Sequence, residues 1–180
     1  MRERFSLFLR IFFIILIVST SSLVASNLSP QQIRTLKLVK EIAKQYPNKS
    51  GETFEYTAMS ICMTETSAGI FKVGDIGKDP NIFKASLGIM QVRLQTARFT
   101  AEKLHLSEIT KMSDVVLVNR LLGDDRFNIY VAVQYLVWLN DDTKNYFRTV
   151  SRYNGGNYNH TYYNKVIRNM RFIQTIKDLN

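Results

Sequence analysis

A carboxylate, Glu65, stands at the end of an apolar run from Tyr56 to Met63, and a glycine-punctuated segment then leads into Ser86-Leu87-Gly88-Ile89-Met90-Gln91. Burial disfavours an ionised carboxylate and raises its pKa, so Glu65 at the end of such a run can hold a proton near neutrality. A proton held there can be delivered to a leaving group, which is general acid chemistry. Asp75 and Asp79 are the nearest further carboxylates, and both stand beside Gly74, Gly77 and Pro80 as turn formers do, with Asp75 the better second candidate. Cys62 is the single cysteine and the histidines are His105 and His160. That set closes no disulfide and gives no zinc spacing, so no metal site and no cofactor is expected. Cys62, inside the apolar run, reads as an inert core thiol.

The elements that must position Glu65 read as helices. Ser29-Pro30 looks like an N-cap and first helical residue, with Ile33, Leu36, Val39 and Ile42 at helical spacing up to Pro47. Phe54 to Thr66 forms the helix that presents Glu65. From Ser67 to Ser86 there are too many glycines for a long helix, and a small hairpin or irregular flap is expected. Helices follow at Gln95 to Leu104, from a Ser113 cap to Gly123, from Asp124 to Asn140 as the central core helix with Trp138 in the core, from Lys144 to Tyr153, and from Thr161 to Leu179. Strand signals are scarce, so the fold class is mainly α.

The chain of 180 residues suggests one domain behind a targeting segment. Residues 1–26 combine a basic start, an apolar centre from Ile11 to Val18 and small residues from Ser19, the pattern of a secretory signal peptide, with an uncleaved membrane anchor as the rival. The formal charge is +9; Arg2, Arg4 and Arg10 against Glu3 supply +2 of it, so residues 27–180 keep +7. Such a surface attracts polyanions. The cations are dispersed and no nucleic-acid motif is present, so no nucleic-acid partner is expected.

Glu65-Thr66-Ser67, then Gly88-Ile89-Met90-Gln91 with Thr96-Ala97, then Tyr153-Asn154-Gly155-Gly156, in that order, resemble the lytic transglycosylase (SLT) domain of the goose-lysozyme-like superfamily. The resemblance covers roughly residues 50–170 and departs from the family at Thr66, where a serine is usual. It implies a lysozyme-like helical domain over residues 27–180 that is exported to the periplasm. Its substrate would be peptidoglycan glycan strands, cut between N-acetylmuramic acid and N-acetylglucosamine with a 1,6-anhydro product. Glu65 would be acid and then base, Gln91 and Asn154 would hydrogen-bond the sugar, and Met90 and Tyr153 would wall the site. Tyr162 would hold the glutamate or an acetamido group, or be a core aromatic. Ser86 would orient a substrate group, a role open also to Ser67. Gly88 would allow close approach of a backbone or a sugar, or simply form a turn. A hydrolytic muramidase using Asp75, and a silent glycan-binding envelope module, remain the alternatives. A monomer is expected, with a trans-envelope assembly as a further partner.

Overall fold

Ser29 starts the first helix as its sequence suggests. Its hydroxyl accepts from the Gln32 backbone N–H, the Gln32 side chain accepts from the Ser29 N–H, and Pro30 occupies the first turn where no donor is missed. The computed structural model describes residues 28–75 and 80–180; the expected signal peptide or anchor and Asp79 lie outside the described residues. Helix α1 spans Pro30–Ala43 and buries Leu36, Val39, Ile42 and Ala43. Helix α2, Glu55–Thr66, has every residue from Thr57 to Cys62 buried, packed between α1 and the last long helix. It is stopped by three successive left-handed residues, Ser67, Ala68 and Gly69.

The glycine-rich segment contains the expected hairpin. Strands β1 (Val73–Gly74), β2 (Ser86–Leu87) and β3 (Val92–Arg93) form an antiparallel sheet in that order, with Val73 opposite Leu87 and Ser86 opposite Arg93. Gly88 to Gln91 make the tight connection between β2 and β3, closed by the Gln91 N–H on the Gly88 carbonyl at 3.1 Å.

Helices α3 (Leu94–Lys103), α4 (Ser107–Thr110), α5 (Asp114–Gly123), α6 (Asp125–Thr143), α7 (Tyr146–Tyr153) and α8 (His160–Gln174) complete a mainly helical, lysozyme-like domain. Side-chain caps from Ser113, Asp124, Asn145 and Asn159 start four of them. Helix α6 buries nine residues and packs on α1, α3, α5 and α7. The last helix is shorter than its periodicity suggests. It ends at Gln174, where the Thr175 hydroxyl bonds back to the Phe172 carbonyl, and the chain turns so that Leu179 is buried and its carbonyl meets Lys40 Nζ at 2.5 Å.

Asn128, fully buried in α6, ties the hairpin to the helical body. Its Nδ2 donates to the Leu87 carbonyl at 2.9 Å and its Oδ1 accepts from the Met90 N–H at 2.8 Å. Gly88, at φ +71°, sits so close that a Cβ there would lie 2.3 Å from the Leu121 carbonyl oxygen. Asn128→Leu would strand two buried backbone groups, so a loss of about 2–4 kcal/mol in urea unfolding is expected. A loss below about 0.5 kcal/mol would contradict the clamp.

Candidate active site

Glu65 occupies the last turn of α2, beyond five residues, Ala58 to Cys62, without solvent contact, and is itself half-buried. The Tyr162 hydroxyl, from α8, donates to Glu65 Oε1 at 2.5 Å, and Tyr162 is 6% exposed. Burial is the main cause that pushes the Glu65 carboxyl above its ordinary range. The Tyr162 hydrogen bond opposes it, the negative charge of Asp75 adds to it, and Lys165 opposes it. Since Oε1 already accepts, the acidic proton falls to Oε2. Burial and the facing Glu65 charge drive the Tyr162 hydroxyl well above the usual tyrosine range, so it stays a donor.

The carboxyl opens into a cavity of about 470 Å³. Asp75, Ser86, Gln91 and Arg93 line it from the sheet, Gln95 and Thr96 from α3, Tyr135 from α6, and Tyr153, Asn154 and Gly155 from the end of α7. The sheet side carries a charged knot. Ser86 Oγ donates to Asp75 Oδ2 at 2.5 Å, and Arg93 Nη2 donates to the same oxygen at 2.7 Å. Arg93 first and Ser86 second hold Asp75 below its ordinary carboxyl range, while Glu65 is held above its own.

Of the candidates drawn from the sequence, Glu65, Ser86, Gln91, Tyr153 and Asn154 share this cavity, and Tyr162 reaches it through Glu65. Gln91 is left-handed at φ +52°, with its Nε2 on the Gly88 carbonyl at 2.9 Å. Asn154 is exposed, and its Oδ1 accepts from Asn159, the residue that caps the helix carrying Tyr162. Two expectations are corrected. Met90 is fully buried, so its side chain belongs to the core; it serves the site through its carbonyl, which accepts from the Tyr153 hydroxyl at 2.9 Å. Gly88 lies outside the cavity lining, and its close approach is to the α5 backbone at Leu121 and to Asn128 of α6, the backbone alternative and not the sugar.

Thr66 has a structural task. Its hydroxyl lies 2.7 Å from the Ile89 carbonyl and 3.0 Å from that of Cys62, and it accepts from the Gly69 N–H at 2.9 Å, locking the hairpin turn onto the end of α2. Ser67 helps end that helix in the left-handed conformation, and its carbonyl accepts from Gln32. Burial lifts the Cys62 thiol to about 12, which makes it inert. Thr96 belongs to the second motif but was given no role there, and Arg93, Gln95 and Tyr135 were missed by sequence reasoning. The one available signal was that Arg93 and Gln95 lie between the Gly88–Gln91 and Thr96-Ala97 parts of that motif.

A family model described as Transglycosylase SLT domain matches residues 48–172, more than half of the chain and the whole of the region that builds this cavity. No curated protein and no solved structure is significantly similar to the chain.

The folded protein keeps the Glu65 proton to higher pH than the unfolded chain does. Between the two values the folded state therefore binds more protons, and rising pH weakens it. Glu65→Gln escapes this cost and can still accept from Tyr162. Its melting temperature should exceed that of the wild type by a few degrees at about pH 7, with the gap closing towards about pH 4. A gap that widens on acidification would contradict the raised pKa.

Proposed function

From the premise that the chain belongs to the transglycosylase SLT family, we propose that it is a peptidoglycan lytic transglycosylase acting on the N-acetylmuramic acid to N-acetylglucosamine β-1,4 bond. The single observation that carries this reading is the half-buried Glu65 at the wall of a polar cavity, its carboxyl held above the ordinary range by burial and pinned by Tyr162. Glu65 gives its Oε2 proton to the glycosidic oxygen as the bond to C1 breaks. Its carboxylate then takes the proton from the 6-hydroxyl of the same muramic acid while that oxygen attacks C1. Glu65 is restored to its acid form, no water is consumed, and a 1,6-anhydro ring is left. The nucleophile belongs to the same sugar, so its effective concentration is high and no second carboxylate is needed to activate a water.

Gln91 and Asn154 hold the sugar by hydrogen bonds, Tyr153 walls it, and Ser86 keeps the sheet side in place. Family members work on peptidoglycan outside the cytoplasm, and the periplasm is the site of action we assign. Export through residues 1–26, a monomeric state and service to a trans-envelope assembly belong to the same proposal. No described helix is long and apolar enough to cross a membrane.

A second reading has one observation in its favour: Asp75, held ionised by Arg93 and Ser86, lines the same cavity as Glu65. Ordinary glycosidases place a second carboxylate there to direct a water. Mass spectrometry of muropeptides released from purified sacculi separates the two. Anhydromuropeptides from the wild type, reduced about 10²- to 10⁴-fold or more in Glu65→Gln, are expected. Products with reducing ends, lost in Asp75→Asn, would establish the hydrolase instead. Sacculus binding with no product would mean a silent module.

A further inference from the structure

Two of the helices that line the cavity at Glu65 carry further aromatic and basic residues beyond it. On α3, Phe99 follows Thr96 by three residues and Lys103 follows Phe99 by four, so the face that lines the cavity continues towards the helix end. On α6, which packs against α3, Trp138 follows the cavity-lining Tyr135 by one turn. The rings form a continuous ladder. Tyr153 and Tyr135 are 5.8 Å apart between centroids, Tyr135 and Trp138 lie parallel at 6.4 Å, and Phe99 meets Trp138 edge-on at 4.8 Å. Trp138, expected in the core, is only partly buried, and Phe99 is 36% exposed.

Cations frame the ladder. Lys103 Nζ stands 5.6 Å from the centre of the Phe99 ring, and among the described residues its one close acid is the highly exposed Glu102 at 4.0 Å. Arg152 lies 5.7 Å from the Trp138 ring but is paired with Asp142. Lys103 is therefore the cation at the end of the ladder with the weakest local partner. Exposed aromatic faces pack on the C–H faces of pyranose rings, and an ammonium beside them attracts carboxylates.

Resting on the peptidoglycan reading above, we propose that Phe99 and Trp138 form a glycan-stacking track running out from the cavity, and that Lys103 binds a carboxylate of the peptide stems carried by that glycan. The track favours peptide-substituted strands over bare glycan.

Cosedimentation with sacculi tests this without catalysis. In a Glu65→Gln background, binding is measured to intact sacculi by cosedimentation and, by fluorescence anisotropy, to the soluble stem-free glycan strands that an amidase releases from them. Lys103→Glu should weaken binding to intact sacculi about fivefold and change binding to stem-free glycan strands far less. Phe99→Ala should weaken both. Lys37→Glu, an equal charge change at an exposed position on α1, should do neither. Unaltered binding of Lys103→Glu to intact sacculi, or equal weakening by Lys37→Glu, would overturn the proposal. Should Phe99→Ala fail to fold, as near-ultraviolet circular dichroism would reveal, the surface substitution Lys103→Glu decides. Failure of the transglycosylase reading is registered separately, in the products of the wild type, which do not enter these isotherms.

Discussion

A glutamate in the last turn of a buried helix must be paired, hydrated or protonated, and this fold resolves the demand with one hydrogen bond. Tyr162 reaches Glu65 across 97 residues of chain at 2.5 Å. Burial favours the neutral acid, and the helix C-terminus, where carbonyl oxygens converge, opposes an added negative charge. The bond from Tyr162 then fixes the rotamer without forcing ionisation. Helix α8 must dock on α2 for this to happen, and the Asn159 cap that starts α8 also holds Asn154 at the cavity rim. One capping residue thus links the carboxyl's partner to a sugar-binding candidate.

The opposite wall depends on two polar clamps. Thr66 bonds the Ile89 carbonyl, and Asn128 bonds the Leu87 carbonyl and the Met90 N–H, so a hairpin with two residues in each strand gains fixed attachment to the helical body. Short hairpins have little stability of their own. The attachment positions Ser86, Asp75 and Arg93 across the cavity from Tyr153. It also keeps the ionised Asp75 where its charge helps Glu65 retain a proton.

Much of this was legible in the sequence because it rests on local chemistry. Ser29 and Ser113 are capping residues before periodic apolar runs, and the structure uses both of them so. Glu65 was legible because a carboxylate at the end of an apolar helix is conspicuous. The rest is set by tertiary register. Whether Met90 faces the cavity or the core depends on how a four-residue turn is rotated, and Asn128 clamps it with the side chain turned inward. Asn128 itself reads only as a polar interruption of an apolar helix. Trp138 is apolar enough for the core, yet its position one turn beyond Tyr135 puts it at the rim. The final helix ends early because burying Leu179 against α1 outweighs continued helical periodicity.

Direct titration of the Glu65 side-chain carboxyl by carbon-13 NMR tests the central claim most closely, with Tyr162, Asp75 and Lys165 as the groups that bear on it. The account predicts a midpoint above the ordinary glutamate range that falls when Asp75 is replaced by asparagine. A midpoint at or below the ordinary range, unmoved by that replacement, would show that Glu65 is ionised at neutral pH and cannot serve as the acid.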